Sequence, residues 1–516
     1  MATPSLAMIP SGYKEEKLYS FLPTNGDGDF TFSRGSNATR VNKDGLIETV
    51  PLDLGSEMVT NGTFNTANDW TLNSNWGISG GTANADGTSS DPMFQNGVVA
   101  SGKSYKVTYT LSNFTQGSVY VDLGLGGIGA TRTSAGTYTE TIVAGSSNTR
   151  FYLRGSGNFI VSIDNISVKE EIGFNKPRLD YTDSSCPSLL LEPTSTNLIG
   201  YSQSSSGIGW NNFNSITDND GISPDGTNNA IEIDADNGDM LDYYESAGTS
   251  IAVTFSAFFK AGSNDVVEIN TNSTGSEVYV GFNLTIGTIT HTSGSTYLDS
   301  SIKDYGNGWY RCSVTSTSGT GSFVSRIKSL STGTFKLFGI QFEEQSYPTS
   351  YIPTTNGIVA TRLQDECTDA GNEQVINSTE GVLYFEAKAL ADDGTNRSIS
   401  ISDGTSSNKI TLKFDNTSNQ IEYDVIVGSV VQVGIDRTIT DTTNYNKIAC
   451  KWELNSFSLW VNGVEIGTDS SGSTPIGLSE LAFDNGNGGS AFYGKCKDLR
   501  VYDVALTDQE LADLTS

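Results

Sequence analysis

Three stretches of the sequence hold the residue types that recognise sugars. "NDWTLNSNWG" brings Asn75 and Trp76 close to Trp70. "GWNNFN" brings Trp210 next to Asn211, and "MLDYYE" lines up Asp242, Tyr243 and Tyr244. An aromatic face packs on sugar C–H groups, while amides and carboxylates pair with the hydroxyls. The competing reading is plain packing, because a tryptophan near the first strand of a sandwich also fills a core. Trp309, Trp452 and Trp460 alternate with apolar neighbours and are expected in cores.

Two acidic runs have spacing suited to a hard cation. "NGDGDF" presents Asp27 and Asp29, and "TDNDG" presents Asp218 and Asp220. Alternate oxygens of this kind can wrap a structural Ca²⁺. Neither run carries the bidentate Glu of an EF-hand loop, and turn chemistry explains both equally well. No cofactor is required by any motif.

Catalysis finds little support. The single histidine, His291, sits in "TITHTSG", and no nucleophile elbow accompanies it. Paired carboxylates on one strand would suit glycoside hydrolysis. The run "IEIDAD" places Glu232, Asp234 and Asp236 on one face, expected to be solvated. The chain is therefore expected not to be an enzyme. Its five cysteines are scattered and show no C-x-x-C, so they predict neither a disulfide framework nor a zinc site.

The elements that must carry these residues read as short strands. Charged residues are only 17% and there are 56 glycines, a composition of many strands joined by tight turns. In "KSYKVTYTLSNF", Tyr105, Val107, Tyr109 and Leu111 fall on one face with period two. The one clear helix is the tail "LTDQELADL", where Thr507 and Glu510 form a capping box. A net charge of −29 repels nucleic acid and anionic membranes, and leaves neutral glycans as suitable partners. No apolar run approaches the ~20 residues of a membrane span, and the first residues lack the pattern of a secretion signal.

Turn signals divide the chain into a segment over 1–53, a jelly roll over 54–171, a second jelly roll over 172–370, and a sandwich over 371–516. The tripeptide "ATR" occurs at 38–40 and again at 360–362. One reading joins the hairpin at 26–50, "KPRLDY" and "VATRL" into a single connector that the first jelly roll interrupts. The other reading is chance.

"IPSGYKEEKLYSFLP" followed by "DGDFTFSRGSNATRVNKDGLIE" resembles the N-terminal module of bacteriophage virion proteins. "RLDYTDSSCPSLLLEPTSTNLI", "SPDGTNNAIEI", "YGNGWYRCSV" and "QFEEQSYPTSYIPT" resemble the middle module of the same proteins. "EMVTNGTFNTANDW" and "IDNISVKE" resemble the two ends of carbohydrate-binding jelly rolls. "LWVNGVEIG" and "LRVYDVALTDQELADL" resemble laminin-G-like, concanavalin-type sandwiches.

These resemblances imply an all-β chain of tandem antiparallel sandwiches, two jelly rolls and one laminin-G-like unit, on an extended N-terminal attachment segment. They imply a tail fibre or adhesin of a virion that binds host surface glycans. A capsid decoration or head fibre is the alternative, and a glycan-degrading enzyme the more distant one. The Gly-rich N-terminal segment would gain order by docking on other virion proteins. A homotrimer is expected by analogy with fibres, although no heptad repeat specifies one.

Overall fold

A computed structural model describes residues 2–205, 209–211, 213–274, 276–355 and 357–516. The chain is nearly all β, and it divides into two compact units. One is residues 51–173; the other joins the residues up to Val50 with Phe174–Ser516.

The unit at 51–173 is built on two long antiparallel strands, Ser104–Leu123 and Phe151–Ile172. Tyr105, Val107, Tyr109 and Leu111 point into its core, as their alternation predicts, and Val119, Val121 and Leu123 follow. Their pairing register shifts around Gln116, beside Gly117. Gly117 has φ +79°, and a Cβ there would lie 2.6 Å from the Asn158 carbonyl, so only glycine admits this bend.

The larger unit contains two sandwiches. The middle one stacks two six-stranded sheets. The first runs in the order Gly209–Asn211, Met240–Glu245, Thr320–Ser329, Val266–Thr274, Ser276–Asn283 and Thr288–Ser293. The second includes Ala252–Ala261, Trp309–Thr317 and Gly333–Glu343. Phe255, Phe259, Ile327, Phe335 and Phe342 fill the space between them. Trp309 is buried apart from that core, in a cluster with Phe258 and Phe338.

In the third sandwich a five-stranded sheet faces a larger one built on Glu380–Ala389, Asn446–Glu453 and Gly494–Tyr502. Trp452 is buried, and its indole N–H donates to the Asn377 carbonyl at 3.0 Å. The tail helix Asp508–Thr515 is capped by Thr507 and Glu510, and packs Leu511 and Leu514 with Tyr384 and Trp460.

The N-terminal segment corrects the expectation of an extended arm. Leu6–Met8 forms a strand paired with Leu499–Val501, and Phe30–Ser33 pairs with Glu366–Thr368. Leu6, Met8, Leu18, Phe30 and Phe32 are all buried in the core of the third sandwich, with Phe30 against Phe483 at 5.4 Å. Turn residues dominate this segment, but its few apolar side chains find their partners in the same chain.

A buried ionic network ties the connector together. Arg178 pairs with Glu192 at 2.5 Å and with Asp365; Arg34 pairs with Asp365 at 3.1 Å, and Arg362 with Glu192 at 2.9 Å. Burial would raise the Glu192 carboxyl, but Arg362 and Arg178 overcome it and hold Glu192 well below the usual carboxylate range. Burial also pushes the Arg34 guanidinium down to about 10, against the pull of Asp365. The hairpin Thr39–Val41/Ile47–Thr49 joins "KPRLDY" through Tyr181 N–H to Val41 O (3.0 Å) and Val41 N–H to Asp180 Oδ2 (3.0 Å). The two "ATR" strands do not pair with each other. Ala360–Arg362 pairs with Ser195–Asn197 instead.

Candidate functional site

The strand Met240–Glu245 alternates between core and surface. Leu241 and Tyr243 point inward, Tyr243 packing near Phe255, while Asp242 and Tyr244 belong to the outer face. Cross-strand partners share a face, so register extends that face over the sheet. One row reads Asp242, Arg326, Asn270, Tyr279 and Ser293. The row on one side reads Met240, Lys328, Glu268, Gly281 and His291, and the row on the other brings Tyr244 and Val324 beside Asn272 and Glu277.

Polar contacts lock this grid. Arg326 grips Asp242 with a two-pronged pair, Nε to Oδ1 at 2.5 Å and Nη2 to Oδ2 at 2.9 Å. That hydrogen bonding raises the Arg326 pKa against the effect of burial. His291 reaches over Gly281 to place Nε2 2.8 Å from Glu268 Oε2. A Cβ on Gly281 would lie 2.3 Å from the imidazole, so a larger residue there would have to displace His291. Tyr279 donates its hydroxyl to Glu277 at 2.8 Å, and Asn272 donates to the same carboxylate at 3.1 Å. Asn270 is buried beneath this layer, and its Oδ1 has no hydrogen-bond partner. Tyr244 remains 65% exposed at the edge of the grid. Held side chains with an open aromatic ring can bind a flat polar ligand without ordering new groups.

Of the other residues that sequence reading singled out, several serve the fold. Trp76 is only 7% exposed; it packs on Phe159 at 5.5 Å and donates its indole N–H to the Asp91 carbonyl at 2.9 Å. Asn75 is buried and donates to the carbonyls of Ser89 and Asp91. Neither offers a face to a ligand, because Trp76 opens a strand paired with Thr82–Asp86 and packs into the core, and Asn75 in the turn before it is buried. Tyr243 is likewise a core residue, so of the tyrosine pair only Tyr244 is available. Trp210 and Asn211 lie on a short strand paired with Met240–Leu241, and their side chains lie outside the described residues.

The acidic runs are taken up by protein donors. Asp29 accepts from the Ser20 N–H at 2.9 Å and lies 3.6 Å from Lys17, while Asp27 accepts from Asn25 at 2.8 Å. Asp218 accepts from both the N–H and the hydroxyl of Ser205, and Asp220 pairs with Lys336 at 2.7 Å. Glu232 also meets Lys336, at 3.0 Å. Among the described residues no group of three or more His, Cys, Asp or Glu is placed to hold a metal ion.

Sequence reading passed over a second aromatic and basic patch, in the unit at 51–173. The Arg150 guanidinium lies 4.5 Å from the centre of the Phe94 ring, and Arg154 lies 4.6 Å from that of Tyr152. Arg154 also pairs with Asp122 at 2.9 Å. Phe94, Tyr152 and Asp122 share one row across three strands. Only the strand order reveals this, since the residues come from separate segments.

The third sandwich has strands on two facing sheets and a covering helix. Residues 379–512 match the model of the concanavalin A-like lectin/glucanases superfamily. Within this lectin-like sandwich, the strand Gln420–Val427 places Glu422 and Asp424 on one side, away from the buried Ile421, Tyr423 and Val425. Burial, with the neighbouring Glu422 carboxylate, pushes the Asp424 carboxyl up to about 7. Glu422 itself pairs with Lys413. "IEYD" has the same spacing as "IEID", and sequence reading singled out only the latter.

No curated protein matches the chain. Among solved structures, the CBM40 domain of the Ruminococcus gnavus IT-sialidase aligns at 19% identity over 28% of this chain and 86% of that one, with a TM-score of 0.25. A CBM22 tandem from Paenibacillus barcinonensis Xyn10C aligns at 8% identity over 57% of this chain and 98% of that one, with a TM-score of 0.21. Mouse laminin α1 domains LG4-5 align at 10% identity over 54% and 88%, with a TM-score of 0.19.

Proposed function

We infer that the protein is a non-enzymatic glycan-binding adhesin, displayed as a structural protein of a bacteriophage particle. The observation that carries the binding part is the outer face of the middle sandwich. There Tyr244 stands exposed beside a pre-organised grid of Asp242, Arg326, Asn270 and Glu268. Arg326 pairs with Asp242 and Lys328 with Glu268, while Glu277 is held by Tyr279 and Asn272, so the face has no surplus of positive charge to draw an acidic sugar. The lectin-like match of residues 379–512 supports the same class of partner. A glycan array probed with the full chain tests the reading. Saturable binding to a defined neutral glycan is expected, and silence across neutral and acidic glycans overturns it.

The virion part is supported by the N-terminal and middle sequence motifs. Immunogold labelling of purified particles tests it. Label on the tail supports an adhesin, label on the head supports a decoration protein, and unlabelled particles exclude both.

A second reading, glycan hydrolysis, is favoured by one observation: Asp424 and Glu422 share one side of a single strand, where burial and the Glu422 carboxylate push the Asp424 carboxyl up. Release of reducing sugar that Asp424→Asn abolishes would establish it. The binding reading expects none. It expects Asp424→Asn to act on stability instead. A carboxyl whose pKa is raised on folding costs stability as pH rises above its unfolded value of about 3.9, fully so above its folded value. The variant should therefore be more stable than the wild type at pH 8, by about 1 kcal/mol after solvent screening, and by less at pH 5. Urea midpoints at the two pH values check this.

A further inference from the structure

A second site lies away from the sheet face, within the larger unit. A cavity of about 200 Å³ opens where the hairpin around Arg40, the middle sandwich and the third sandwich meet. It has room for several waters or one small polyatomic ion. Its wall carries Arg40, Lys303, Arg311, Lys388 and Lys495, with Asp180 and Glu192 as the lining carboxylates. In a chain of net charge −29, so much positive charge in one place is unexpected.

The lining carboxylates are already engaged. Glu192 belongs to the Arg178–Arg362 network, and Asp180 pairs with Lys495 at 2.7 Å. Asp183, next to the cavity, is shared by three ammonium groups: Lys303 at 2.9 Å, Lys388 at 3.0 Å and Lys495 at 3.0 Å. Arg40 has Glu48, at 2.9 Å.

Arg311 has no such partner. It is 6% exposed, its Nη2 donates to Ser256 Oγ at 3.0 Å, and its guanidinium lies 5.3 Å from the centre of the Phe258 ring. Its Nε finds no acceptor, and no carboxylate lies within ion-pairing distance among the described residues. A buried guanidinium without a counter-charge is costly, and an anion in the cavity would relieve that cost. Lys388 reports the same excess. Burial lowers its pKa; Asp183 opposes this, and the charges of Lys495 and Lys303 reinforce it.

We propose that this cavity binds an oxyanionic group, either a free phosphate or sulfate or the carboxylate of an acidic saccharide, with Arg311 and Lys303 as its principal ligands. The site is independent of the Tyr244 face and of any glycan bound there.

The test is titration of the full chain with inorganic phosphate, sulfate, glucuronate and glucose, by calorimetry and thermal melting. Chloride at matched ionic strength is the reference. Saturable oxyanion binding is expected, with a rise in melting temperature of roughly 3 °C and no response to glucose. Lys303→Met should weaken binding about tenfold, the loss of one charge-assisted hydrogen bond, and Arg311→Gln should abolish it. Lys303 is well exposed, so its variant remains informative if Arg311→Gln fails to fold. Phosphate and sulfate binding alone identifies a free anion as the ligand. Glucuronate that binds more tightly and displaces phosphate identifies an acidic saccharide. The proposal is overturned if no oxyanion exceeds chloride, if glucose binds as well as glucuronate, or if the wild type and Lys303→Met bind alike.

Discussion

Deleting residues 2–33 is expected to unfold the C-terminal sandwich rather than relieve it of an arm. Leu6, Met8, Leu18, Phe30 and Phe32 are buried in that core. Each such side chain contributes about 1.5–3 kcal/mol by leaving water. Together they contribute roughly 10 kcal/mol, as much as the whole stability margin of an ordinary domain. The deletion also removes the strand Leu6–Met8 and leaves the edge at Leu499–Val501 open to aggregation. Phe30→Ala is the finer probe and should cost about 3–5 kcal/mol. Urea unfolding followed by tryptophan fluorescence measures both. An attachment arm would leave the transition unchanged on deletion, since its apolar residues would be waiting for another subunit.

Arg178→Met should be nearly as damaging. Arg178 is fully buried between Glu192 and Asp365, and its loss leaves two buried carboxylates short of positive charge. Removing one member of such a set costs about 3–5 kcal/mol. The effect depends on pH in a defined direction. Glu192 is held below its ordinary range in the folded chain, so it stabilises the fold above its unfolded value of about 4.3. That stabilisation fades as pH falls below this value toward the folded one. In the variant, Glu192 can accept a proton instead of remaining an uncompensated charge. The gap between wild type and Arg178→Met should therefore be widest near pH 7 and narrow below about pH 4. Denaturant midpoints at pH 7, 5 and 3.5 check this; a constant gap would mean that the network's charges do not stabilise the fold.

Local pattern carried the strands and the sandwich architecture. Alternation at Tyr105, Val107, Tyr109 and Leu111 puts all four in one core, as read from sequence. Pattern could not say which distant strand completes a sheet. Leu6 pairs with Val501 and Phe32 with Cys367, choices made by long-range packing, so the N-terminal segment looked like an arm. The same limit hid Arg326, which meets Asp242 only because their strands are neighbours. Alternation did imply that one of Tyr243 and Tyr244 turns inward, and Leu241 on the core face identifies it as Tyr243. Trp76 was ambiguous because a tryptophan at the start of a strand stacks on a ligand or fills a core with the same neighbours in sequence. Asp424 escaped notice because alternate carboxylates on a strand are usually solvated. Only its burial beside Glu422 sets it apart.

The proposed glycan site is the outer face of the middle sandwich, with Tyr244 as its stacking residue. Calorimetric titration of an array-positive glycan into the wild type and into Tyr244→Ala is the decisive experiment. Tyr244 is exposed, so its loss should leave the unfolding midpoint unchanged. Loss of its stacking contact should weaken binding by about 1 kcal/mol, roughly fivefold. Equal affinity in the two proteins would exclude Tyr244 from the site and move glycan binding to another surface.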